Sequence, residues 1–170
     1  MIALEYYSGE QFSQAIARST EDGDDDVAEF EWLRDRWHER PRMWQDQQVW
    51  LHGDATPANF LFGAGIDVAA IDLERMKRGD RAFDVGRVAG ELEHAFMLVG
   101  NRERAEDFIG HFLWEYSCHL PDRYSAFEAV AARTVFYRGL NLLRIARNDY
   151  VTPDHGHRLV CQADRLLRAE

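Results

Sequence analysis

Apolar positions recur at helical spacing over most of the chain, and the spacing changes character once. Val27, Phe30, Leu33 and Trp37 return every three or four residues with Pro41 just beyond, which predicts an amphipathic helix from Val27 to about Glu39. Upstream, IALEYY at residues 2–7 is β-branched and aromatic enough for a short strand, stopped by Ser8-Gly9. A short helix is expected from Glu10 to about Arg18, and STEDGDDD, Ser19 to Asp26, carries no apolar side chain and reads as an exposed acidic loop. The change comes at VWLHGD, which closes an apolar stretch in a turn. ANFLFGAGIDVAAIDL then predicts two short strands joined through Gly63-Ala64-Gly65. Residues 73–83, LERMKRGDRAF, read as a charged loop, and Asp84 is placed to cap a helix carrying Val85, Val88, Ala89, Leu92, Ala95, Phe96 and Val99, ended by Gly100. Three further helices follow. Ala105, Phe108, Ile109, Phe112, Leu113 and Tyr116 mark the first, closed by Pro121, and Phe127 to Leu142 mark a long second. The third carries Val160 and Leu167 beyond Val151-Thr152-Pro153. The expectation is an α+β fold, mostly helical, with one small β-hairpin. Residues 1–170 are read as a single domain, in segments 1–9, 10–48, 49–84 and 85–170.

The length of 170 residues fits one domain with its own core, and 46% apolar with 29% charged residues is globular composition. Thirty acidic against twenty basic residues give a net charge of -10, which argues against nonspecific nucleic-acid or anionic-membrane binding. No signal peptide or membrane span is visible, and Cys118 and Cys161 stand apart without a metal-binding spacing. Both are expected as reduced thiols packed in helices of a cytoplasmic protein. Lys77 is the only lysine, so any mechanism needing a lysine elsewhere is excluded.

The reactive side chains concentrate around the hairpin. Asp54 and Asn59 lie five residues apart in HGDATPANF, and Asp72 ends the next strand. Antiparallel strands bring their outer ends together, so a tight loop and a hairpin can gather all three at one edge. Two carboxylates and an amide oxygen are hard ligands suited to Mg²⁺ with phosphate oxygens completing its shell, which suggests phosphate chemistry. A metallophosphoesterase could draw on His52, Asp54, Asp72 and His94, but would want more histidines at short spacing.

HGDATPANFLF followed by AAIDLERMKRGDRAFDVGR resembles the catalytic core of the aminoglycoside phosphotransferase and choline kinase family, a branch of the protein-kinase-like fold. The resemblance implies a kinase-like C-terminal lobe with ATP and Mg²⁺ as cofactors and a small-molecule alcohol, often cationic, as acceptor. It makes Asp54 the catalytic base that accepts or orients the acceptor proton and Asn59 and Asp72 the metal ligands. His52 would brace the catalytic loop, Asp84 would anchor its backbone, and Glu74 would be a lesser member of the metal environment. IALEYYSGEQF looks like the hinge between two lobes, where the backbone of Glu5, Tyr6 and Tyr7 would meet adenine.

Such kinases also carry an N-terminal lobe with a phosphate-covering loop and a strand lysine, and this chain is expected to lack it. Lys77 follows Asp72 and cannot be that lysine, so the chain by itself is expected to transfer phosphate weakly or not at all. Two other expectations stand beside this one: a noncatalytic binding or regulatory module, and a half-enzyme completed by a separate lobe. Apolar groups near Ile2, Leu4, Tyr6, Phe60 and Phe62 would then be covered by a second copy or by a lobe-like partner. The acidic stretch from Glu21 to Asp26 could attract a cationic acceptor, and Trp32, Trp37, Trp44 and Trp50 could line its pocket or pack in the core.

Overall fold

The computed structural model describes residues 23–169, with side chains from Val27 onward. The strand and helix expected within residues 2–18, and Ile2, Leu4, Glu5, Tyr6 and Tyr7, lie outside the described residues. The elements in chain order are α1 (Gly23–His38), β1 (Gln48–Leu51), β2 (Phe60–Phe62), β3 (Val68–Ala70), β4 (Lys77–Asp80), α2 (Ala82–Leu98), α3 (Ala105–Cys118), α4 (Arg123–Ala146) and α5 (Pro153–Arg168). Single 3-10 turns cover Pro41–Met43, Pro57–Asn59, Leu73–Arg75 and Arg102–Arg104. The mostly helical content with small antiparallel sheets agrees with the α+β expectation. Two compact units divide the chain, one formed by Gln47–Thr134 and the other by the flanking segments up to Asp46 and from Val135.

In the unit Gln47–Thr134 the expected hairpin is present, with Phe60 opposite Ala70 and Phe62 opposite Val68. A second two-stranded sheet accompanies it. β1 pairs antiparallel with β4, Gln48 opposite Asp80 and Leu51 opposite Lys77. The sequence KRGD carries no alternating apolar pattern, so β4 owes its strand conformation to the partner it meets and was read as loop. Asp80 also sets where α2 begins. Its carboxylate accepts the Ala82 N–H at 3.0 Å and takes a bidentate pair from buried Arg133, Nε at 2.8 Å and Nη2 at 3.1 Å. The helix therefore starts two residues before Asp84, which lies inside the first turn instead of capping it.

The core of this unit joins α2, α3 and the start of α4 through Val85, Ala89, Ala105, Ile109, Leu113 and Val130. Ala105, Ile109 and Leu113 form one row at four-residue spacing, and this row faces inward. Phe108, Phe112 and Tyr116 form the neighbouring row. Phe112 and Tyr116 are only partly buried and Phe108 is exposed, so the aromatic stripe is the margin of the core and not its centre. Gly100 ends α2 as expected, with a left-handed φ of 68°.

In the other unit α1 begins at Gly23, so Asp24, Asp25 and Asp26 start a helix where a loop was expected. Acidic residues suit a helix N-terminus, where they meet the positive end of the dipole. Trp37 is fully buried, its indole Nε1 donating to the Leu167 carbonyl at 2.7 Å and its ring centroid 5.5 Å from that of Phe136. Trp32, Trp44 and Trp50 are exposed. Thr152 caps α5, its hydroxyl accepting the His155 N–H at 3.4 Å, with Pro153 at the first helical position. His155 is consequently buried in the first turn and not on the surface. Cys118 and Cys161 lie on helices but are exposed thiols. Among the described residues no helix is long and apolar enough to cross a membrane.

Candidate active site

The loop from β1 to β2 is shaped first by Gly53. Its φ of 82° is in the left-handed region, and a Cβ there would run into the Arg75 carbonyl oxygen, so two backbones meet at a spot only glycine permits. One carboxylate then pins the loop main chain. The His52 N–H donates to Asp84 Oδ2 at 2.6 Å and the Gly53 N–H to Oδ1 at 3.1 Å. Burial pushes the Asp84 carboxyl above its ordinary value, and the two backbone donors, His52 and Arg87 act against that rise.

The His52 ring braces the loop from the other side. Its Nδ1 accepts the Asp54 N–H at 3.3 Å, which leaves Nε2 as the protonated nitrogen, donating to the Ile71 carbonyl at 2.9 Å. The ring thus ties the loop between β1 and β2 to the end of β3. Asn59 closes the following 3-10 turn, and its Nδ2 donates to the Asp54 carbonyl at 2.8 Å. With the amide nitrogen so engaged, the Asn59 Oδ1 is the atom left for a ligand. The Ile71 N–H donates to the Asn59 carbonyl at 3.0 Å, extending the hairpin by one pair, and Asp72 is the next residue along the chain.

Asp72 itself has φ 59° and ψ 55°, and among the described residues it is the only non-glycine with positive φ. Its exposed carboxylate takes no hydrogen bond from a described residue. Two protein oxygens of this kind suit Mg²⁺, which keeps several waters or phosphate oxygens in its shell. No group of three or more His, Cys, Asp or Glu able to hold a metal occurs among the described residues, so the histidine-rich phosphoesterase arrangement is not built here. Glu74 is exposed, and its carboxylate faces Arg75 Nε at 3.8 Å.

Asp54 sits between two arginines that the sequence reading did not assign. Oδ1 pairs with Arg87 Nη1, and Oδ2 lies 4.0 Å from Arg75 Nη1. Arg87 is buried in α2 and Arg75 is half exposed in the turn after Asp72. A signal for Arg87 was present: in VGRVAG it is the one charge within an apolar helical stretch, three residues after the loop-anchoring Asp84. Lys77 lies in β4 with its ammonium 4.7 Å from the Phe83 ring centroid, and burial followed by the nearby Arg87 charge lowers its pKa. Beside the loop a cavity of about 520 Å³ is walled by Trp50, Phe60, Met76 and Tyr116, with His52 and Asp84 on one side.

A model of the phosphotransferase enzyme family matches residues 4–125. No curated protein and no solved structure matches the chain. The matched stretch covers most of the chain and contains the braced loop, the hairpin and the whole constellation around Asp54. The chain belongs to the phosphotransferase enzyme family.

Proposed function

We propose that the chain is an ATP-dependent phosphotransferase that moves the γ-phosphoryl group to a hydroxyl of a small molecule, with Asp54 as the catalytic carboxylate. The observation that supports this reading is that Asp54 and Asn59 share a loop held by His52 and Asp84, with Asp72 following the hairpin just past the Asn59–Ile71 pair. Asp54 orients the acceptor hydroxyl and takes its proton as the oxygen bonds to phosphorus and the bond to the bridging β–γ oxygen breaks. Asn59 Oδ1 and Asp72 would hold Mg²⁺, which when bound neutralises charge on the nucleotide phosphates. Since transfer of this kind relies on positioning, the rigidity of the loop is itself part of the catalysis.

Lys77 is engaged beside Phe83, so no lysine of this chain stands over the phosphates, and slow turnover by this chain is the expectation. ADP release should be measured with Mg-ATP and a panel of sugars, amino alcohols and hydroxy acids. Asp54→Asn should lower turnover at least about 100-fold; an Asp54→Asn protein as active as wild type would overturn the reading. A second reading, a noncatalytic binding module, is favoured by the exposure of Phe62 at 76% and Ile66 at 97% on the hairpin. It predicts no nucleotide turnover and loss of partner binding when Phe62 is made polar.

A further inference from the structure

Arg87 lies in the second turn of α2 with about 6% of its side chain exposed. Arginine is almost never so buried without a partner, because stripping water from a guanidinium costs several kcal/mol. Its Nη1 reaches Asp54 Oδ1, and its guanidinium lies 5.2 Å from the Phe83 ring centroid. Three residues earlier on the same helix, Asp84 holds the N–H groups of His52 and Gly53. Residues three apart share a helix face, so one face of α2 grips the main chain of the loop through Asp84 and its reactive side chain through Arg87.

We propose that Arg87 is the positioning residue for Asp54, fixing its rotamer through Oδ1 so that Oδ2 is the oxygen presented to the acceptor; this rests on the phosphotransferase reading above. Arg75 cannot serve the same purpose, because it is half exposed and its Nη1 stands 4.0 Å from Oδ2, on the side where the acceptor would approach. His52 and Asn59 hold only backbone atoms of Asp54, leaving the carboxylate torsions to Arg87. Lysine would be a poor replacement, since a point charge on a flexible stem does not define the plane of its partner.

A purely structural pair would behave differently. Replacing a buried ion-pair member by an apolar residue of similar volume changes stability, and leaves the chemistry of the folded fraction alone. The test is hydrolysis of Mg-ATP, with water as acceptor, by the full chain in the steady state with Mg-ATP varied. Arg87→Met should lower kcat about 100-fold with the KM for Mg-ATP within about twofold, the size expected from losing about 1 Å of alignment. Arg87→Lys should recover part of that loss. In an Asp54→Asn background, Arg87→Met should cause no further loss, because there is no ionised carboxylate left to aim. Folding of each variant is checked by thermal melting. An Arg87→Met protein as active as wild type, or a loss that adds in full to that of Asp54→Asn, would overturn the proposal.

A wild-type chain without turnover would instead sink the functional reading. The positioning of Asp54 is then judged by the Arg87 Nη–H resonances in NMR. Protection from exchange that is lost in Asp54→Asn supports it, and unchanged exchange overturns it.

Discussion

Asp72 occupies the left-handed region at φ 59°, a conformation that costs a side-chain-bearing residue about 1–2 kcal/mol unless the surroundings enforce it. The residue stands at the end of the hairpin, where the chain turns from β3 into the Leu73–Arg75 turn. Asp72→Gly should therefore stabilise the protein by about 1 kcal/mol in urea unfolding while removing a proposed metal ligand. Calorimetric titration with Mn²⁺ should find weak binding to wild type and none to Asp72→Gly or Asp72→Ala; equal binding by all three would remove the proposed site. Asp84 carries a different kind of cost. Burial raises its pKa above the unfolded value, so the folded state holds its proton longer as pH rises. The native state then binds more protons than the unfolded one across that interval, and stability falls as pH climbs from about 3.8 through the raised value. Facing Asp84 are His52, Arg87 and Lys77. In Asp84→Asn this component disappears, so the wild-type stability minus that of the variant should decrease with rising pH; a difference that increases would contradict the assignment.

At the scale of elements, the β1–β4 pair is held at its end by Asp80 and Arg133, whose side chain is 2% exposed. Arg133→Met removes the bidentate guanidinium partner of Asp80 at a buried position and should cost about 3 kcal/mol in chemical denaturation. Gly53→Ala should cost about 2 kcal/mol or more, because the left-handed strain is joined by collision with the Arg75 carbonyl. Helices were legible from periodicity because their pattern is local: Gly100 and Thr152-Pro153 stop and start helices as such residues do anywhere. Strand β4 was not legible, since its four residues KRGD are extended only because Gln48–Leu51 lies opposite. The early start of α2 escaped for the same reason, being set by Asp80 in its link to Arg133, 53 positions away.

Over the whole molecule, the two compact units separate the proposed chemistry from much of the buried helix packing. Leu167 is 1% exposed in the unit that also contains Trp37 and Phe136, and Gly139 leaves just enough room for it. Leu167→Ala should lower stability by about 3 kcal/mol while the folded protein keeps its rate of nucleotide turnover. Melting curves together with turnover below the transition read both quantities; a loss of rate in fully folded variant would show that this packing reaches the chemistry.

The order of candidate site residues from His52 through Asp84 was determined by sequence alone, because a loop, a hairpin and a helix of short length leave little freedom in how such residues are spaced. Family membership rests on a match over residues 4–125 that includes this stretch. Only the tertiary structure decided that Asp54 is clasped by Arg87 and approached by Arg75, that His52 is a donor to the Ile71 carbonyl, and that Asp84 turns from helix to loop. Those contacts join residues 19 to 33 positions apart, and nothing in local spacing fixes which partner a charged side chain will find. Burial drives the choice: a guanidinium enclosed in α2 must meet a carboxylate, and Arg87 reaches Asp54.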